Sequence, residues 1–235
     1  MRVLIIIPAY NEAENICSVV ESIKSTEPGM DYLVINDCSK DDTEQVCKTH
    51  GYQYISLPAN LGIGGAVQAG YLYALQHGYD IAIQIDGDGQ HDPAYIRDLI
   101  QPIINGEADI AIGSRFITKE GFQSSGSRRL GIYILSTVIR ICCGVRVLDV
   151  TSGFRAVNRK FIKFYAKDYA QDYPEPEAII AAAMNGGRIK EIPVIMRERK
   201  SGKSSINIWR SLYYMLKVTL AISLYRITNQ KEIGA

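Results

Sequence analysis

Apolar positions in this chain come in two textures. Short apolar runs, each closed by a polar cluster, alternate with longer segments in which apolar residues recur at helical spacing. Residues 3–7 form the first run and end at Pro8-Ala9-Tyr10-Asn11-Glu12, with an amphipathic helix predicted from there to about residue 25. A second run, 32–35, leads into Asn36-Asp37-Cys38-Ser39-Lys40-Asp41-Asp42-Thr43, where Ser39 and Asp42 have capping-box spacing and predict a helix to about residue 50. The third run, about 52–57, precedes Asn60-Leu61-Gly62-Ile63-Gly64-Gly65-Ala66, which opens a helix to about residue 77. After the fourth, 81–85, Asp92-Pro93 reads as an N-cap with proline at the first helical position, and its helix runs to about residue 104. A fifth run, 109–112, ends at Gly113-Ser114-Arg115. Strands alternating with helices predict an α/β fold with a mostly parallel, Rossmann-like sheet flanked by helices. Every polar cluster then falls after a strand, on the sheet edge where ligands of open α/β sheets bind.

Past Arg115 the texture changes. Residues 118–127 make a Gly/Ser-rich loop, a lid or plain surface. Arg128-Arg129 and an apolar segment, 130–145, broken only by Arg140, follow it. Next come Asp149-Val150-Thr151-Ser152-Gly153-Phe154-Arg155, then Tyr173-Pro174-Glu175-Pro176-Glu177 leading a helix to residue 185, and a short strand over 189–194. Residues 197–205, which include Arg199, Lys203 and Ser204, are the densest basic run. Such a run is usually a solvated face, but its mixture of charge, glycine and hydroxyls also suits a loop closing on phosphate. The tail, 206–226, carries Trp209, Tyr213 and Tyr214, and is cut by Arg210, Lys217 and Arg226 into runs far short of the ~20 apolar residues of a spanning helix. It reads as an amphipathic C-terminal helix, either lying in a membrane interface or docked on the core. The expected division is a catalytic domain over 1–205 and this extension over 206–235.

Composition narrows the function. At 235 residues, 47% hydrophobic and 22% charged, the chain is ordinary globular protein. A net charge of +1 supplies no global field toward nucleic acid, so any polyanion is met locally. The five cysteines are odd in number, lack a C-x-x-C pair and have no histidine partners at zinc spacing, as in a reduced cytoplasmic protein. The N-terminal apolar run is too short for a signal peptide.

The chemistry centres on Asp86-Gly87-Asp88-Gly89-Gln90-His91, just past the fourth strand. Two carboxylates two residues apart on extended backbone point the same way, and the glycines admit a bulky ligand to the main chain. Hard oxygen ligands of this kind suit Mg²⁺ or Mn²⁺ with positions left for a substrate's phosphates. Asp-Gly pairs also form plain turns. An EF-hand fails, because its sixth and twelfth positions would be His91 and Arg97. A dinucleotide fold fails too: Gly62 and Gly64 are followed by Val67 where the third glycine belongs, and after the third strand instead of the first.

Together these pieces resemble the inverting family 2 glycosyltransferases of GT-A fold, particularly the polyprenyl-phosphate sugar synthases similar to dolichyl-phosphate mannose synthase. The resemblance rests on Pro8-Ala9-Tyr10-Asn11-Glu12, Asn36-Asp37-x-Ser39-x-Asp41-x-Thr43, Asp86-x-Asp88-x-Gln90-His91, Gly113-Ser114-Arg115, Thr151-Ser152-Gly153-Phe154-Arg155 and Arg199-x-x-Gly202-x-Ser204, in the family's order. It implies that Pro8, Tyr10, Glu12 and Asp37 line the base and ribose of a nucleotide-sugar. It further implies that Asp86, Asp88 and Gln90 hold Mg²⁺ or Mn²⁺ on the donor diphosphate, over which Arg199, Lys203 and Ser204 close. Asn36 stands where many members carry Asp.

An alcohol acceptor needs a carboxylate base, whereas a phosphomonoester, with a second pKa near ~6, is already an anionic nucleophile that needs cations to place it. The resemblance gives that task to Arg115, Arg128 and Arg129, and the apolar segments favour a polyprenyl phosphate acceptor at the cytoplasmic face of a membrane. The expected reaction moves a hexose, UDP-glucose-like, with inversion. The alternatives are transfer to a sugar hydroxyl of a cell-wall or capsule glycan, with Asp172, Glu175 or Glu177 as base, and a catalytically silent nucleotide-sugar-binding subunit. Glu177 lies where family members place an acidic residue, although carboxylates also suit a helix start. His91 reads as a residue orienting the metal ligands. A small membrane protein is a further implied partner, with the tail as its contact.

Overall fold

The computed structural model describes residues 1–123, 126–171 and 174–198. Arg199, Lys203, Ser204, Asp172 and the tail from 206 onward lie outside the described residues. Seven strands, β1 (Val3–Ala9), β2 (Asp31–Asn36), β3 (Tyr54–Ser56), β4 (Ile81–Gln84), β5 (Ile110–Ser114), β6 (Arg155–Asn158) and β7 (Ile189–Pro193), form one sheet in the order β3-β2-β1-β4-β6-β5-β7. The helices are α1 (Ile16–Thr26), α2 (Thr43–His50), α3 (Gly62–Gln76), α4 (Ile96–Ile104), α5 (Gly126–Cys143), α6 (Arg159–Lys167) and α7 (Pro174–Met184).

Strand periodicity decides which side chains meet which helices. Leu4 and Ile6 of β1 enter a core layer with residues of α3, α5, α6 and α7, while Ile5 and Ile7 enter the opposite layer with residues of α1 and α4. Burial on both faces is why these strands read as continuous apolar runs. In α1, Ile16, Val19, Val20 and Ile23 recur at helical spacing and are buried, each contributing ~1.5–3 kcal/mol of apolar transfer.

The sheet is mostly parallel, as expected, with one exception that the sequence did not disclose. Strand β6 runs antiparallel to both neighbours, β4 and β5. Its four residues carry only Ala156 and Val157 as apolar signal, one in each core layer. Asn158 ends β6 and caps α6, accepting from the Phe161 amide at 3.2 Å, so no loop separates the two elements.

Two local expectations are corrected. Ser39 and Asp42 do not form a capping box: α2 starts at Thr43, Asp42 makes no side-chain cap, and the Ser39 hydroxyl instead accepts from the Asn11 amide at 3.0 Å. The third strand is confined to Tyr54–Ser56. The Asp92-Pro93 signal holds, with Asp92 Oδ1 accepting from the Ala94 amide at 3.1 Å and a 3₁₀ turn, Pro93–Tyr95, leading into α4. Glycines at the start of α3 serve packing: a Cβ on Gly64 would lie 2.0 Å from the Ala170 carbonyl oxygen.

Candidate active site

The loops after β1 and β2 form one knitted edge. Besides the Asn11–Ser39 bond, the Lys40 amide donates to Asn11 Oδ1 at 2.8 Å, the Glu12 amide to Thr43 Oγ1 at 2.9 Å and the Ala13 amide to Asp41 Oδ2 at 3.0 Å. Asn11 and Cys38 both take left-handed backbone, each at φ 56°, to turn these corners. The motif residues Ser39, Asp41 and Thr43 thus join the two loops to each other. Pro8 is buried at the end of β1, Tyr10 projects with 43% exposure, and Glu12 accepts from Asn15 Nδ2 at 2.7 Å. Asp37 is buried, and its carboxylate accepts from the Leu61 amide at 2.7 Å and from Asn60 Nδ2 at 3.0 Å. That carboxylate therefore fixes the approach to α3.

Strand β4 ends at Gln84, before Asp86, and Asp88 lies in a turn, so strand alternation does not set the direction of the pair. Each is held by a bond from its own segment: Gln84 Nε2 donates to Asp86 Oδ1 at 3.0 Å, and the Gln90 amide to Asp88 Oδ1 at 3.0 Å. Asp88 is buried and Asp86 partly so. His91 is buried, stacks on Phe154 at 5.0 Å, and accepts through Nδ1 from the Asp86 amide at 3.0 Å. With Nδ1 accepting, the ring's proton is on Nε2, 3.7 Å from Asp86 Oδ2. The histidine thus holds Asp86 through the backbone amide.

The chain leaving β7 returns to this loop. Gln90 and Arg197 bond through the backbone at 2.9 Å, Arg197 pairs with Asp92 at 2.8 Å, and the Phe122 amide donates to the Met196 carbonyl at 3.1 Å. The root of the basic run, up to residue 198, thus lies beside the Asp-x-Asp turn.

On the other side stand the cations. Arg115 is 5% exposed and forms a two-pronged pair with fully buried Asp149, Nε to Oδ2 and Nη2 to Oδ1, both 2.7 Å. Asp149 is anchored in turn, since its amide and that of Leu148 donate to the two carboxylate oxygens of Glu191 on β7. The guanidinium expected to meet the acceptor is engaged by this carboxylate. Arg128 and Arg129 lie in the first turn of α5, the first partly buried and the second exposed.

Glu177 and Glu175 both lie in the first turn of α7. Burial raises the Glu175 carboxyl above its ordinary pKa, Asp86 nearby raises it further, and the positive charges of Arg155 and Arg128 oppose the rise. Glu175 therefore feels the negative charge of Asp86 and the positive charge of Arg128 at the start of α5. Sequence reasoning named it only as one of three alternative bases, because carboxylates two residues apart at a helix start are indistinguishable by spacing.

Among the described residues no three acidic, histidine or cysteine side chains cluster as a self-sufficient metal site. Two aspartates in one short loop, Asp86 partly exposed and Asp88 buried, supply oxygen ligands that fit Mg²⁺ or Mn²⁺, which are commonly held by one or two carboxylates plus substrate oxygens.

The family follows from comparison with known proteins. The profile described as "Glycosyl transferase family 2" matches residues 4–165. The chain belongs to this glycosyltransferase family. The glycosyltransferase is 30% identical over 216 residues to the undecaprenyl-phosphate mannosyltransferase of Micrococcus luteus, covering 88% of each chain. It is 31% identical over 212 residues to the UDP-N-acetylglucosamine–dolichyl-phosphate N-acetylglucosaminyltransferase of Methanococcus voltae, covering 82% of this chain and 84% of the other. The fold is shared with the Mycobacterium tuberculosis glucosyl-3-phosphoglycerate synthase, solved with Mn²⁺, UDP and product, at a TM-score of 0.70 and 21% identity, covering 96% of this glycosyltransferase and 79% of that chain.

Proposed function

We propose that this glycosyltransferase moves a hexose from a UDP-sugar, glucose or a relative of it, to the phosphate of a polyprenyl phosphate, inverting the anomeric carbon. One observation carries the acceptor assignment. Helix α5 begins with Arg128-Arg129 and then turns Leu130, Tyr133, Ile134 and Ile141 outward, at 61%, 70%, 47% and 64% exposure. A cation pair at a helix N-terminus, followed by an exposed apolar stripe, is complementary to an anionic head on an apolar tail. The relatives' names supply independent support, since undecaprenyl phosphate and dolichyl phosphate are the acceptors they give, with different sugars.

In this reading the knitted edge at Pro8, Tyr10, Glu12 and Asp37 receives the nucleotide, and Asp86, Asp88 and Gln90 hold Mg²⁺ or Mn²⁺ on the diphosphate. Arg199, Lys203 and Ser204 belong to the loop that closes over it. The metal, when bound, neutralises charge on the departing nucleoside diphosphate. The acceptor phosphate oxygen attacks the anomeric carbon on the side opposite the diphosphate, the glycosidic bond to the diphosphate breaks, and no proton need be removed from the nucleophile. Arg128 and Arg129 place that phosphate, and α5 rests on the cytoplasmic face of the membrane. Among the described residues no helix is long and apolar enough to cross one. Residues 1–205 form the catalytic unit, with 206–235 as its contact to the membrane or a small membrane protein.

A second reading has its own support. Glu175, whose carboxyl burial raises above its ordinary pKa, would serve as a base for a saccharide hydroxyl. The test incubates purified protein with Mn²⁺, a panel of UDP- and GDP-sugars and undecaprenyl phosphate, with Asp88→Ala as control. Chloroform-soluble sugar from one donor, absent in the control, supports the lipid acceptor. Donor turnover onto a glycan alone, with no lipid product from any donor, would replace it with the second reading.

A further inference from the structure

Arg155 belongs to a motif that the proposed chemistry leaves without a task. Only 1% of it is exposed, and it sits in β6 opposite Gln84, the residue that holds Asp86. Its Nη2 donates to the Ser152 carbonyl at 2.6 Å and its Nη1 to the Glu175 carbonyl at 3.2 Å, while Nε has no hydrogen-bond partner among the described residues. All its fixed bonding therefore joins the loop before β6 to the first turn of α7.

Both joined segments face the site. Ser152 precedes Gly153, which packs so closely on the Asp-x-Asp turn that a Cβ there would lie 2.9 and 3.0 Å from the Asp86 carboxylate oxygens. The Glu175 carbonyl bonded to Nη1 belongs to the residue whose carboxyl feels the charges of both Asp86 and Arg128. Around the guanidinium are Tyr71, Tyr165 and Tyr169, with ring centroids 5.1–5.4 Å apart, all buried and all held protonated by burial. This wall leaves the arginine no route to solvent or substrate. A fork of two donors set in a rigid wall fixes the spacing of two acceptors, which a single ammonium does not do.

We propose that Arg155 is a positioning residue that sets the place of the Glu175 carboxyl relative to Asp86, and that Glu175 acts on the reacting sugar or its acceptor at that spacing. The inference rests on the glycosyl-transfer reading above.

A double-mutant cycle with Arg155→Lys and Glu175→Gln tests it. Displacing a reacting group by about 1 Å costs on the order of 10²-fold in rate. Arg155→Lys is therefore expected to lower kcat by roughly ten- to a hundredfold, with the donor KM and the far-UV circular dichroism unchanged. In the Glu175→Gln background the same change should cost less than about threefold, because the group it positions is gone. Equal losses in both backgrounds, or a raised KM at constant kcat, would overturn the proposal. If Arg155→Lys does not fold, Arg155→Gln replaces it. Failure of both to fold would assign the arginine to stability alone and equally overturn the proposal. Running the cycle on UDP release from the donor in water, which needs no acceptor, separates this outcome from failure of the lipid-acceptor reading.

Discussion

Replacing Asp149 by asparagine isolates the best-defined buried ion pair next to the site. Arg115 and Asp149 are 5% and 0% exposed, and the carboxylate also accepts from the Arg115 amide at 3.1 Å. The substitution keeps the shape but leaves a guanidinium buried without its counter-charge, a change that costs about 3–5 kcal/mol. Two charge-assisted bonds at 2.7 Å, at roughly 1.5–3 kcal/mol each, bracket the same figure. For a protein of this size each kcal/mol moves Tm by roughly 2–4 °C, so Asp149→Asn should melt about 6–20 °C below wild type. Calorimetry reads this directly. Arg115→Met combined with Asp149→Leu should recover much of the loss, because no charge then remains buried. A single variant melting within about 2 °C of wild type would refute the reasoning, showing that Arg115 finds solvent or another anion when its partner is removed.

Gly153→Ala should weaken Mn²⁺ binding, measured by titration of the free protein, and lower stability by about 1–3 kcal/mol, because its Cβ presses on Asp86; unchanged affinity would mean that the aspartate is not confined there. Asp109 has its pKa lowered by hydrogen bonds from Arg188, so its contribution is present above its ordinary value of 3.8 and fades as pH falls through the lower folded value. Arg188 is half exposed, so Asp109→Asn should cost only about 1 kcal/mol at neutral pH. The gap to wild type in urea melts should close toward pH 3, and a gap independent of pH would count against this. Arg129→Ala should raise the KM for polyprenyl phosphate several-fold and leave the donor KM alone, and steady-state kinetics with each substrate varied in turn would reveal the opposite.

The first half of the sheet was legible because β1, β4 and most of β2 are buried and each is followed by a polar cluster. Runs such as Ile81-Ala82-Ile83-Gln84-Ile85 admit few other readings. Strand β6 was not legible: its Arg155 and Asn158 are polar, and their burial depends on partners distant in sequence, the Glu175 carbonyl for one and Asp109 for the other. The same cause hid the engagement of Arg115, since no local pattern pairs it with a carboxylate 34 residues away. Ser39 and Asp42 matched a local motif whose side chain was claimed by a neighbouring loop. Local rules failed where tertiary hydrogen bonds competed for the same polar atoms.

The reversal of β6 has a further consequence. Strand β5 leaves the sheet at Ser114, and β6 enters beside it at Arg155, on the same edge, with the Gly113 amide donating to the Phe154 carbonyl at 2.8 Å to close the neck. The stretch from 115 to 154, including α5, is therefore an excursion that departs and returns at one point. Its ends are tied together by Arg115 and Asp149. Insertions at such necks leave strand register undisturbed. In the proposed reading, acceptor recognition is thereby carried on a segment whose outer, solvent-facing part can vary in sequence or length while the strands that would bind the donor stay as they are, which gives one sheet a route to many acceptors.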